Sequence, residues 1–246
     1  MRRLYPLLLI FLLLAPCPAG AADVRVITEF NPPFNFDTPA GASGIATDLF
    51  LRMAGRAGIR VERKDIRVWP WARGYREILE KPDVILYSMA RTPGREGLFR
   101  WIGPIMPLHS SLFALKSRGI VIKDPVDGAG LYRYGTMRAS ASEQELVRLG
   151  VPPGRMDSVH DRTLNIRKLI QGHIDVMVAN EPATLYTIRQ MGLDPNDFEV
   201  VYRLMSVNLY YAASRDLNPA LVHRLQSALD SLKADGSAAR IIERYQ

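Results

Sequence analysis

From residue 24 onward the chain alternates short β-branched runs with stretches whose apolar residues recur every third or fourth position. It does so in two rounds, with no flexible linker between them. This pattern restricts the fold to α/β layers, strands covered by helices. In the first round Val24 to Thr28 reads as a strand. Ile45 to Ala57 reads as a helix, with Ile45, Leu49, Met53 and Ala57 on one face. Arg60 to Arg63 is expected to be a second strand, Trp71 to Glu80 a helix and Asp83 to Tyr87 a third strand. Asn31-Pro32-Pro33-Phe34-Asn35 is a rigid loop, because its two prolines fix the backbone and cannot continue a strand. In the second round Leu112 to Lys116, Leu131 to Gly135, Met156 to Val159, Ile174 to Val178, Val200 to Arg203 and Leu209 to Ser214 read as strands. Helices are expected over Ser142 to Leu149, Thr163 to Gln171 and Pro182 to Met191. Two closing helices, Pro219 to Ala234 and Ser237 to Tyr245, are split by Asp235-Gly236.

With 246 residues, 48% of them hydrophobic, the chain can bury one large core or two small ones. Its only cysteine is Cys17, which excludes a disulfide scaffold and a multi-cysteine zinc site. The single long apolar run, Leu7 to Ala15, follows Arg2 and Arg3 and precedes Ala19-Gly20-Ala21. That is the three-part pattern of a secretory signal peptide over residues 1–21. Its removal would leave a cysteine-free chain with net charge +5 instead of +7, suited to a bacterial periplasm. The arginines are scattered without a dense block, so no nucleic-acid partner is expected. His109, His160, His173 and His223 are equally scattered, and no metal is expected. No phosphate loop, Gly-x-Ser-x-Gly elbow or His-Glu-x-x-His pair is present, and no cofactor is expected.

Four local wordings carry a resemblance: Asn31-Pro32-Pro33-Phe34 after the first strand, Ser43-Gly44-Ile45-Ala46-Thr47-Asp48-Leu49 at a helix start, Ser88-Met89-Ala90-Arg91-Thr92-Pro93-Gly94-Arg95-Glu96, and the tail from Leu217 to Tyr245. Each is short and degenerate, but their order over more than 200 residues resembles the bacterial extracellular solute-binding proteins of family 3, which serve mainly polar amino acid ABC transporters. Pro70-Trp71-Ala72-Arg73 is similar to a less characterised subgroup. The resemblance implies an α/β, two-lobe periplasmic binding protein fold of type II with a ligand cleft between the lobes. Lobe 1 would comprise residues 22–113 and 211–246, and lobe 2 residues 114–210. The chain would cross near Leu112 to Lys116 and near Asn208 to Ala212. A monomer is expected, closing on a small polar ligand and presenting it to an ABC transporter permease or a membrane receptor.

By the same resemblance, Arg95 matches the arginine that grips a ligand α-carboxylate, a pairing suited to the two-pronged guanidinium. Ser88 and the Ala90 backbone match positions that receive the ligand's amino or carboxylate group. Ser140, with Arg138 beside it, matches a carboxylate cradle in the second lobe; a helix start favours an anion, and Ser140 is equally an N-cap residue. Asn180 departs from the pattern, because many members have an aspartate there to pair with an α-ammonium. An amide brings no charge. Either Glu29 or Glu181 compensates, or the ligand is not an ordinary α-amino acid. Asp175 reads as structural. From residue chemistry, Phe34, Trp71 and Tyr87 are candidate walls, Arg73 a candidate contact and Glu29 a candidate partner for a cation. Some proteins of this fold are dehydratases. Such chemistry needs an acid or base in the cleft, and Glu29 and Glu181 are the candidates; binding without chemistry is the preferred reading.

Overall fold

The computed structural model describes residues 24–245; the leader expected over residues 1–21 lies outside them. The first part of the chain runs β1 (Arg25–Thr28), β2 (Phe36–Thr38), β3 (Gly41–Ser43), α1 (Ile45–Arg56), β4 (Arg67–Val68), α2 (Trp71–Glu80), β5 (Val84–Ala90) and β6 (Arg100–Ile102). Next come β7 (Pro107–Leu115), α3 (Pro125–Gly128), β8 (Tyr134–Met137), α4 (Ala141–Leu149), β9 (Met156–Val159), α5 (Arg162–Gln171), β10 (Val176–Asn180) and α6 (Glu181–Gln190). β11 (Phe198–Ala213), α7 (Pro219–Ala234) and α8 (Ser237–Glu243) close the chain.

The strands join in the order β4-β1-β5-β11-β7-β10-β8-β9, with β6 also on β11. β1 lies parallel to β4 and β5, and β8 lies parallel to β9 and β10. Long antiparallel β11 connects the two parallel groups. It pairs with β7 from Phe198 to Asn208 and with β5 from Leu209 to Ala213.

Each parallel group is buried on both faces, as parallel sheets require. In β5 the period of two sends Ile85 and Tyr87 to a core with Leu49, Met53, Leu225 and Leu229 of α1 and α7. Val84 and Leu86 face a separate core with Trp71 and Ile78 of α2. β10 repeats the arrangement: Val176 and Val178 meet Tyr134 and Leu146, while Met177 and Ala179 meet Ile166, Leu169 and Ile188. The result is two three-layer units. Leu108 belongs to the first unit's core and Leu112 to the second's, so β7 passes from one to the other between them.

Helix α2 spans the expected residues, and α7 does so too. The strand expected at Arg60 to Arg63 is absent. The Glu62 N–H donates to Asp65 Oδ2 at 3.0 Å, which closes a 3-10 turn over Arg63–Asp65 and delays the strand to Arg67–Val68. The two strands expected at 200–203 and 209–214 are one. Bulges between Val200 and Tyr202 and between Arg203 and Met205 shift the alternation without breaking the ladder. Leu131 is 78% exposed and lies in the turn that Tyr132 closes onto Gly128, so β8 begins only at Tyr134. β10 starts two residues later than expected, at Val176. The β2–β3 hairpin and β6 are too short to leave a periodic signal.

Candidate functional site

The carboxyl ends of β1, β5, β8 and β10 converge on one cleft, where the loops that follow them carry polar side chains. A cavity of about 70 Å³ lies there. Of the residues singled out from sequence, Glu29, Trp71, Ser88, Ala90, Arg95, Ser140 and Asn180 line it. Phe34 and Tyr87 do not. Phe34 is buried in the core beside α1. Tyr87 stacks on Phe50 at 5.7 Å, and its hydroxyl bonds Thr47 Oγ1 at 2.7 Å. Arg73 is exposed, with its guanidinium 3.8 Å from the Trp69 ring centroid. Arg138 points to the surface and donates to the Ser158 carbonyl at 3.4 Å.

Arg95 sits in the 3-10 turn after β5 and is 1% exposed. Its Nη2 donates to the Ala139 carbonyl at 2.9 Å, its Nε to Gln144 Oε1 at 3.1 Å and its Nη1 to the Ala90 carbonyl at 3.4 Å. All three acceptors are uncharged. The guanidinium stacks 4.9 Å from the Tyr75 ring and 5.4 Å from that of Trp71. Burial pushes its pKa down from the ordinary arginine value. Trp71 Nε1 donates to the same Ala139 carbonyl at 2.9 Å. Ala139 has φ +58°, a left-handed conformation that aims this carbonyl across the cleft. The Ala139 N–H donates to Glu143 Oε2 at 2.7 Å, and Ser140 Oγ accepts from the Glu143 N–H at 3.1 Å; together they cap α4.

Glu29, just past the end of β1, has its carboxyl enclosed by the cleft. Burial pushes it up to about 7, against the opposing pull of Arg162 and then Arg95. Asn180 caps α6, its Oδ1 accepting from the Ala183 N–H at 2.9 Å, while its Nδ2 donates to Asn31 Oδ1 at 2.8 Å. Ser88 adopts φ +61° and donates to Asn35 Oδ1. Glu181 lies off the cavity, accepting from Ser111 Oγ at 2.6 Å and facing Arg203 at 3.6 Å. Asp175 accepts from the Arg133 N–H and pairs with Arg118, a structural contact.

Two contributors were not foreseen. Asn31, in the double-proline loop, accepts from Asn180 and also from Arg162 Nη2 at 3.3 Å. Arg162, the first residue of α5 and 7% exposed, lines the cavity. Its signal was available: Asp161 is an N-cap residue, and the helix-start argument applied to Ser140 holds there too. A second hollow of about 370 Å³ adjoins the first toward the cleft mouth. The two share Glu29, Trp71, Met137 and Arg162, and Phe30, Trp69, His160 and Asp161 are among the residues that line the outer wall.

Two α/β units joined by long strands, with polar side chains gathered at the carboxyl ends of their strands, define a two-lobe binding protein fold. The sequence profile of the bacterial extracellular solute-binding proteins, family 3, matches residues 24–246, and the chain belongs to that family. A search of curated protein sequences returns no significant match. Among solved structures, a histidine kinase sensor domain with similarity to periplasmic binding proteins superposes with a TM-score of 0.79 at 18% identity, covering 92% of this chain and 96% of its own. An ancestral arginine-binding protein bound to glutamine gives 0.75 at 23% identity, covering 90% and 96%. An ancestral amino acid-binding protein, a precursor of cyclohexadienyl dehydratase, gives 0.73 at 20% identity, covering 90% and 94%. At these identities the likeness is one of fold. No helix among the described residues is long and apolar enough to cross a membrane.

Proposed function

We propose that this protein captures a small carboxylate-bearing solute between its lobes and delivers it, chemically unchanged, to a membrane partner. One observation carries the reading. Arg95 is a buried cation whose three hydrogen-bond acceptors are all neutral. A buried charge without a charged hydrogen-bond acceptor is costly, and a ligand carboxylate would supply one. Ser140 at the start of α4 adds polar groups on the facing lobe. In this reading residues 22–113 with 211–246 form lobe 1 and residues 114–210 form lobe 2. The change of core between Leu108 and Leu112 and the change of partner along β11 at Asn208/Leu209 support crossings close to those points. Closure would be a hinge motion about these strands. Export by a cleaved leader to the periplasm, a monomeric state and an ABC permease partner complete the proposal. A receptor partner is the alternative, supported by the likeness to a kinase sensor domain.

A second reading has one observation in its favour: Glu29, held near neutrality in the cavity, has the property a general acid or base needs. Titration calorimetry of the protein and of Arg95→Gln with mono- and dicarboxylic acids, amino acids and cyclic acids, with mass spectrometry of the recovered ligand, tests both. Loss of roughly 10- to 150-fold in affinity on removing the guanidinium, with the ligand intact, is the expected result. Equal affinity would remove Arg95 from the site, and a converted ligand would establish the enzyme reading.

A further inference from the structure

The cavity holds a second buried arginine that the reading above does not use. Arg162 is 7% exposed, and its Nε, although buried, has no hydrogen-bond partner. Its Nη2 makes a single contact of 3.3 Å, to Asn31 Oδ1. A buried guanidinium N–H without an acceptor is an unmet donor of a charged group, and such donors are costly unless a ligand meets them. Arg162 also lies on the wall shared by the inner cavity and the outer hollow, whereas Arg95 lines the inner cavity alone. The two guanidinium groups therefore serve different compartments of one cleft, on facing lobes.

The rest of the cleft offers little to a ligand cation. Asn180 has both ends of its amide committed, Oδ1 to the Ala183 N–H and Nδ2 to Asn31. The carboxylate of Glu181 is turned to Ser111 and Arg203 outside the cavity. Glu29 is the only carboxyl lining the inner cavity, against two arginines. The adjoining hollow adds Asp161, whose Oδ1 is engaged as the cap of α5, accepting from the Thr163 N–H at 2.6 Å. The balance of charge in the inner cavity thus favours an anion, and the separate placement of two under-partnered guanidinium groups favours one with two negative groups.

We propose that Arg162 is a second anion subsite and that the ligand is a small diacid without an α-ammonium group, one carboxylate meeting Arg95 and the other Arg162. The proposal rests on the carboxylate-capture reading and specifies its ligand class. Placement of the guanidinium groups in adjoining compartments favours two separated carboxylates over one compact dianion.

The test measures dissociation constants of the full mature protein for glutarate, succinate, butyrate, glutamate and inorganic phosphate, for wild type, Arg162→Gln and Glu29→Gln. Circular dichroism checks that each variant is folded. A diacid should bind roughly 10- to 150-fold more tightly than butyrate, the worth of one additional charge-assisted contact. It should also bind more tightly than glutamate and phosphate. Arg162→Gln should bring the diacid-to-monoacid ratio close to one, and Glu29→Gln, which removes the opposing carboxyl, should tighten the diacid. If Arg162→Gln does not fold, the Glu29→Gln result decides, and unchanged or weaker diacid binding there overturns the proposal. Equal binding of butyrate and glutarate by wild type overturns the second subsite and leaves carboxylate capture standing. Phosphate or glutamate as the tighter ligand overturns the diacid class. Binding of no acid at all overturns both.

Discussion

Replacing Glu29 with glutamine removes a carboxyl that the fold holds in an unfavourable place, and its effect on stability depends on pH in a calculable way. The group titrates near 4.5 when unfolded and is pushed up to about 7 in the folded protein, by burial against the pull of two arginines. Below pH 4.5 both states are protonated and Glu29 imposes no penalty. Between pH 4.5 and 7 the folded state holds a proton that the unfolded state has released, so stability falls as pH rises. Above 7 the penalty levels off at about 3 kcal/mol, the worth of a rise from 4.5 to about 7. Glutamine carries no such penalty. Urea unfolding of the ligand-free protein, followed by tryptophan fluorescence, should give equal stabilities for wild type and Glu29→Gln near pH 4. At pH 8 the variant should be more stable by about 3 kcal/mol. A gap that does not vary with pH, or a variant less stable than wild type at pH 8, would refute the reasoning.

Trp71→Phe keeps the stacking face but loses the 2.9 Å bond to the Ala139 carbonyl, one of the direct ties across the cleft. About 1 kcal/mol less closure is expected, read as a larger radius of gyration in solution scattering without ligand. Gly44→Ala places a methyl group 2.5 Å from the Phe34 carbonyl oxygen at φ +111°, so unfolding free energy should fall by at least about 2 kcal/mol. Asn180→Asp retains the cap of α6 and loses the donor to Asn31. It supplies the carboxylate that an α-ammonium needs, so calorimetry should show a gain for α-amino acids; no gain for any of them would count against the matched register.

Where the chain alternates cleanly, the sequence was readable. α2 is delimited by its apolar face and the end of α7 by the Asp235-Gly236 break, and the bounds of both agree with the structure. β11 was misread as two strands because each bulge inverts the inward-facing parity, which a strict period of two cannot follow. The site was legible where a residue type stood in a distinctive setting: Arg95 after the Thr92-Pro93 turn, Ser140 before a helix and Asn180 at a strand end all reach the cavity. The aromatics were not. Tyr87 lies in a strand whose seven residues are all buried, so nothing in the pattern tells which neighbours its ring meets. Arg162 carries only the weak signal of a helix start after Asp161, shared by every helix with such a cap; the fold brings it across 131 residues onto Asn31.

The central claim is capture of a small acid without chemistry, and thermal unfolding of the protein against a panel of amino acids, organic acids, polyamines and cyclic acids tests it most directly. A ligand at 100 times its dissociation constant should add about 2.7 kcal/mol, a distinct rise in midpoint. That rise is expected for one or a few carboxylates, recovered unchanged afterwards. A rise only with polyamines, no rise with any acid, or an acid consumed during the measurement would contradict it.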